Sequence, residues 1–278
     1  MNPTPENRRE SSAEGYGPQA DLLREVPVRH VASDVRTHSV IREELVQLML
    51  NGRLLIRLSC LPESLEHLAL GFLVSEGLIA SKAAVSGIDV STDPATVRVK
   101  AEVDPYRLVA FRQRLALSSG CGGAASCAEE ELPVCRSEKR FDPADLSGRM
   151  KELQHASTLF RETGGVHCAA ATLGPALLAF AEDIGRHNAA DKTIGRALAE
   201  GVDLSSIALL TTGRLSADIV SKAVRAGVPV VVSRGAATSR AIELATGAGL
   251  TVVGFARGRD MNVYTEAWRL DLDDFDSD

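Results

Sequence analysis

Cys121 stands in a run of small residues, Ser118-Ser119-Gly120-Cys121-Gly122-Gly123-Ala124-Ala125-Ser126-Cys127, that has no apolar periodicity. Glycines on either side leave a thiol accessible and its backbone mobile. Such a thiol becomes a nucleophile once nearby positive charge or a helix N-terminus favours its thiolate. A lone cysteine is more commonly a small buried hydrophobe. That reading suits Cys60 and Cys168, which fall on apolar strands, and suits Cys121 poorly. Metal ligation is the other alternative. Cys121, Cys127 and Cys135 are spaced C-x5-C-x7-C, without the close C-x2-C pairs of common zinc sites.

A second set of candidate residues recurs in the C-terminal half. Four apolar strands run into Glu182-Asp183-Ile184-Gly185-Arg186-His187-Asn188, Gly213-Arg214-Leu215-Ser216, Ser233-Arg234-Gly235-Ala236-Ala237-Thr238-Ser239 and Ala256-Arg257-Gly258-Arg259-Asp260-Met261-Asn262. Each loop sets an arginine beside a glycine. Glycine lets backbone amides approach a ligand, helix N-termini favour anions, and arginine binds phosphate bidentately. For any one loop, a solvated surface turn explains as much. Four loops on one edge of a sheet point to a phosphorylated, nucleotide-like ligand. The usual phosphate motifs are absent: there is no G-x-x-x-x-G-K-[ST] and no strand-borne G-x-G-x-x-G. An ATPase or an ordinary NAD enzyme is therefore not expected. The Asp183, Arg186, His187 and Asp191 group reads as polar and loop-placed, either functional or a solvated helix cap. His167 begins a strand and suits a satisfied core position equally.

The elements that must position these residues follow from the apolar pattern. Leu54 to Cys60 reads as a strand, and Pro62 as the first turn of a helix, with Leu65, Leu68, Ala69, Phe72 and Leu73 on one stripe. Thr96 to Ala101 reads as a strand and Asp104 to Leu117 as a helix. One helix is expected over Asp142 to Glu162, with Leu146, Met150, Leu153 and Phe160 on one side. Beyond it, strands at His167 to Leu173 and Ala176 to Ala181 are joined by Gly174-Pro175. Helices at His187 to Ala199, Ser216 to Ala226 and Ser239 to Ala245 then alternate with strands at Ile207 to Thr212, Val228 to Ser233 and Leu250 to Phe255. Continuous apolar strands separated by amphipathic helices mean a sheet covered on both faces.

The expected organisation is a flexible tail at 1–20, a smaller mixed α/β N-terminal domain at 21–117, a cysteine-bearing loop at 118–141 and an α/β C-terminal domain at 142–278. The chain of 278 residues is 45% hydrophobic and only 4% aromatic, with a net charge of −6. It is globular, with no general attraction for nucleic acid or anionic membrane and no aromatic platform for bases. No apolar run nears the length of a membrane span, and Met1 to Pro18 holds no signal-peptide core. A cytoplasmic location is expected, with the five cysteines as thiols.

Several of these motifs together resemble the FdhD family. Ser119-Gly120-Cys121-Gly122-Gly123, Thr163-Gly164-Gly165-Val166-His167, the Glu182 to Lys192 run, Gly213-Arg214-Leu215-Ser216, Ala226-Gly227-Val228-Pro229, Ser233-Arg234 and Gly254-Phe255-Ala256-Arg257-Gly258 stand in the family's order. The resemblance implies a C-terminal three-layer α/β/α domain similar to the cytidine deaminase fold, and a homodimer. It implies that a cysteine desulfurase passes sulfane sulfur to Cys121 as a persulfide. That sulfur goes on to the molybdenum of a bis-molybdopterin guanine dinucleotide cofactor, the protein's cargo, before the cofactor enters formate dehydrogenase. By the same resemblance, Phe255, Ala256, Arg257, Gly258, Arg259 and Asp260 bind the cofactor, with Arg234 and Arg214 suited to its phosphates. A guanine nucleotide such as GDP would mimic it. Many family members carry C-G-x-C-G, whereas here Cys127 follows Cys121 at a longer interval, leaving Cys127 as a second thiol or an incidental one. A cofactor chaperone without sulfur chemistry is the alternative. A deaminase-like hydrolase would need H-x-E and P-C-x-x-C, and neither occurs.

Overall fold

A computed structural model describes residues 22–29, 35–120, 132–258 and 260–272. Cys121, Cys127 and Arg259 lie outside the described residues.

The C-terminal half is built on a six-stranded sheet in the order β12-β11-β10-β9-β7-β8. Its strands are β7 (His167–Thr172), β8 (Leu177–Asp183), β9 (Ala208–Thr211), β10 (Val230–Ser233), β11 (Thr251–Arg257) and β12 (Asp260–Thr265). β9, β10 and β11 are parallel; β7 is antiparallel to both β8 and β9, so β8 runs in the same direction as β9 to β11. Alternate residues point to opposite faces. Ala169, Leu209, Val231 and Val252 join one core with α5 (Arg186–Ala199), α6 (Ala217–Arg225) and α7 (Ser239–Ala248). Ala170, Leu210, Val232 and Val253 face the other way, against Leu146, Met150 and Leu153 of α3 (Pro143–Ala156). Helices thus cover both faces, the three-layer α/β/α arrangement expected for this half.

The N-terminal half adds a ribbon of β1 (Leu23–Arg29) and β2 (Val35–Ile41) and a four-stranded sheet. That sheet orders β4 (Arg53–Cys60), β3 (Glu44–Leu50), β6 (Ala95–Ala101) and β5 (Val85–Thr92). Its helices are α1 (Leu65–Ser75) and α2 (Pro105–Gly120). α1 lies directly on α5, backbone against backbone. A Cβ on Gly71 would sit 1.7 Å from the Asp191 carbonyl oxygen, and one on Gly195 1.9 Å from that of His67. Only glycine permits this approach, and the two halves share one hydrophobic core across it. No helix of the described residues is long and apolar enough to cross a membrane.

Beyond β1, β2, β3 and β5, for which no strand was expected, three of the regions read from sequence differ from expectation. The first helix starts at Leu65, not Pro62, because Leu61 is tied down on both sides. Its N–H donates to Asp183 at 3.1 Å and its carbonyl accepts from Lys192 at 2.9 Å. Ser64 then enters the helix in the left-handed conformation. The single helix expected over Asp142 to Glu162 breaks at Ser157, which is extended and buried. Its hydroxyl donates to the Glu182 carboxylate and accepts from the Phe160 N–H, capping a separate helix, α4 (Thr158–Thr163). The break turns Phe160 to solvent, 52% exposed, off the stripe formed by Leu146, Met150 and Leu153. Finally, Asp260 to Asn262 is not loop but the start of β12, which folds back on β11 through a hairpin.

Candidate functional site

Because β8, β9, β10 and β11 run in one direction, their four arginine–glycine loops leave the sheet along one edge. Hydrogen bonds stitch neighbouring loops together. The Leu215 N–H donates to Ala236 and the Thr238 N–H to Leu215, at 2.9 and 3.0 Å. The Phe255 N–H donates to Gly235 at 3.0 Å. The glycines allow the nesting: a Cβ on Gly213 would press within 2.7 Å of the Arg186 side chain, and one on Gly254 within 2.9 Å of the Tyr264 ring.

At the β10–β11 end of this edge lies a cavity of about 180 Å³. Arg234, Ala256, Arg257 and Gly258 line it from the strand side, and α3 forms the opposite wall. The β11 end is held in an unusual shape. Phe255 takes a left-handed backbone, φ 52°, rare for a non-glycine residue. Ala256 is thereby buried while Phe255 and Arg257 both turn outward, the guanidinium 5.9 Å from the Phe255 ring centre. The Ser147 hydroxyl of α3 donates to the Gly258 carbonyl and pins the hairpin tip. Among the described residues, neither Arg234 nor Arg257 is paired with a carboxylate, and no acid lines the cavity. Uncompensated guanidinium groups around a concave site favour an anion.

The other residues singled out from sequence divide. Arg214 sits on the adjacent loop with its backbone against Gly235; it is exposed and does not line the cavity. Phe255 and Asp260 flank the cavity without lining it. Asp183 and Asp191 are fully buried, not loop-placed. Asp183 pairs with Lys192 at 2.7 Å and Asp191 with Lys222 at 2.9 Å. Both are structural. His187, at the start of α5, lies 3.9 Å from Asp218 in the first turn of α6. Burial and the neighbouring Arg186 and Lys222 hold its imidazole down at about 4, so it is neutral near pH 7. His167, half-buried at the first position of β7, is likewise lowered by burial and by Arg186.

Cys60 and Cys168 are buried thiols, each pushed up to about 12 chiefly by burial, and so inert as nucleophiles. Cys135 is half-buried, its sulfur 3.6 Å from the Arg269 guanidinium. The helix that precedes Cys121 is firmly seated. Phe111 of α2 packs edge-on against Phe72 at 5.8 Å, and Arg114 reaches Glu76 at 3.6 Å. Early in α2, Tyr106 and Arg107 share a cavity with Arg225, the last residue of α6. Later, Leu115 shares one with Asp218 in the first turn of α6. α2 therefore runs toward the sheet edge that carries the arginine loops.

Sequence reading missed α3 as a wall of the cavity. Its visible signal was the apolar stripe that faces the core; the residues beside that stripe read as ordinary solvated surface.

The model of the FdhD/NarQ family matches residues 41–271. A protein of Wolinella succinogenes named sulfur carrier protein FdhD is 38% identical over 236 residues, 84% of this chain and 82% of that protein. Its namesake from Methanothermobacter thermautotrophicus is 33% identical, covering 90% of this chain and 99% of the relative. A crystal structure of a candidate formate dehydrogenase accessory protein from Desulfotalea psychrophila superposes with a TM-score of 0.72 at 26% identity, covering 89% of this chain and 98% of the other. This chain belongs to the FdhD/NarQ family.

Proposed function

We propose that this protein is a sulfur carrier for formate dehydrogenase. It accepts sulfane sulfur from a cysteine desulfurase on Cys121 and passes it to a bis-molybdopterin guanine dinucleotide molybdenum cofactor, its substrate, before that cofactor enters the dehydrogenase. The observation that carries the reading is the cavity at the strand edge, lined by Arg234, Arg257 and the Gly258 turn with no acid among its lining residues. The names of the relatives, sulfur carrier protein FdhD, support the sulfur chemistry.

In the first step the Cys121 thiolate attacks the outer sulfur of the donor's persulfide. One S–S bond forms, one breaks, and the donor leaves as a thiolate, so no net oxidation is needed. The covalent intermediate divides one transfer between two proteins into two easier steps. In the second step the Cys121 S–S bond breaks as the outer sulfur bonds to the molybdenum of the substrate. The sulfur is reduced to sulfide by two electrons from the metal, which goes from Mo(IV) to Mo(VI), and the Cys121 thiolate is the leaving group. The arginines hold the phosphates of the dinucleotide while this happens; charge-assisted, bidentate contacts fix orientation as well as affinity.

The test follows a labelled sulfur. The chain is charged from radiolabelled cysteine by a desulfurase, freed of donor, mixed with reduced cofactor that lacks the sulfur, and then given formate dehydrogenase that lacks the cofactor. Label moving to the cofactor together with a rise in formate oxidation is the expected result. Cofactor bound by the chain with no label on Cys121 would replace this reading by a chaperone that only protects the cofactor.

A further inference from the structure

The wall of the cavity opposite Arg234 and Arg257 carries a glycine that the protein interior does not require. Gly148 lies in the middle of α3, where glycine is less favourable than alanine. Yet a Cβ built there would meet nothing within 4 Å. Gly71 and Gly195 are different, since a methyl on either would strike backbone. Packing does not select Gly148; the space beside it is the cavity. Lys151 and Gln154 follow at successive three-residue steps and line the same wall. Among the described residues, Lys151, like the two arginines, has no carboxylate partner.

We propose that α3 is the second half of the substrate site. Gly148 leaves room for the ligand against the helix backbone, and Lys151 closes on its diphosphate from the side opposite Arg234 and Arg257. The inference rests on the phosphate-bearing substrate proposed above and names the part of it held here. A cavity of about 180 Å³ is smaller than the range for whole small-molecule sites, roughly 300–1,000 Å³, so it takes a piece of a larger ligand. Three cations and no acid select the diphosphate over the base or the pterin. The Gln154 amide adds a neutral donor at the same wall.

Calorimetric titration of the full chain with GDP and with inorganic pyrophosphate tests this. Wild type binds both. Lys151→Gln, an exposed position, weakens both about tenfold, the worth of one charge-assisted contact. Gly148→Leu fills the wall and loses more than tenfold in affinity, while its thermal midpoint rises because leucine favours the helix. Both variants binding like wild type, with Arg234→Gln weakened, would overturn the role of α3 and leave the proposed function standing. Wild type that binds neither ligand would overturn the phosphate-bearing substrate together with this inference.

Discussion

The hydroxyl of Ser147, in the second turn of α3, donates to the carbonyl oxygen of Gly258 at the tip of the β11–β12 hairpin. One hydrogen bond thus joins the helix wall of the cavity to the strand wall across 111 residues of sequence. Ser147→Ala frees the hairpin tip without touching the core. It should weaken GDP binding by about 1 kcal/mol, the usual net worth of such a bond. Unfolding in urea should shift by less than about 0.5 kcal/mol, since alanine also favours the helix. Unchanged affinity would show that the tip is held by other means.

The contact of α1 with α5 gives a sharper contrast among glycines. Gly195→Ala places a methyl 1.9 Å from the His67 carbonyl oxygen and 2.8 Å from the Gly71 nitrogen, all backbone, so the helices must separate. A loss of at least about 2 kcal/mol is expected in chemical denaturation. Gly148→Ala should instead stabilise by about 0.5–1 kcal/mol, because nothing opposes its Cβ.

Lys222 holds the centre of the molecule together. Its ammonium lies 2.8 Å from Glu76 and 2.9 Å from Asp191, 3.0 Å from the Ser75 hydroxyl, and 4.8 Å from the centre of the Phe72 ring. Opposite charges favour the ionised lysine and push it above its ordinary value, against the effect of burial. Removing it as Lys222→Met leaves the buried Asp191 carboxylate without its cation, while Glu76 keeps Arg114 and Arg225. The expected loss is about 3 kcal/mol or more in denaturation. Lys222→Arg, whose fork cannot occupy the same point, should restore only part of it.

His187 predicts a pH dependence with a definite sign. Its folded value is about 4, below the ordinary 6.5, chiefly because burial opposes the charged form. In the window between those values the unfolded chain binds a proton that the folded chain does not. Stability is therefore fully present above about pH 6.5 and falls as pH drops toward 4. His187→Gln removes this contribution, so the difference between its thermal midpoint and that of wild type should change steadily across the window. A constant difference would assign the acid sensitivity to other groups.

The C-terminal sheet was legible because its strands are short, continuously apolar and bounded by glycine turns. A run such as Val230 to Ser233 has few other uses. β3 was missed although a local signal was present: Asn51-Gly52, both at positive φ, turn it straight into β4 as a two-residue hairpin, and only its pairing with β6 about fifty residues away leaves no local trace. β12 was hidden for a different reason: its half-exposed Asp260 to Thr265 alternates weakly, and its start coincides with a loop that looked ligand-binding. Arg234, Arg257 and Gly258, which line the cavity, were picked out because an arginine beside a glycine suggests anion binding even without coordinates. Arg214 was grouped with them on the same grounds, yet its place one loop over depends on sheet order. Gly148 and Lys151 could not be found at all, since the face of α3 that meets the hairpin is settled by tertiary packing.

Cys121 carries the central claim, and intact mass spectrometry tests it most directly. Wild type, Cys121→Ala and Cys127→Ala are each incubated with an active cysteine desulfurase and cysteine, then weighed before and after mild reduction. The account predicts a reducible gain of one sulfur in wild type and in Cys127→Ala, and none in Cys121→Ala. A gain that persists in Cys121→Ala, or no gain in wild type, would contradict it.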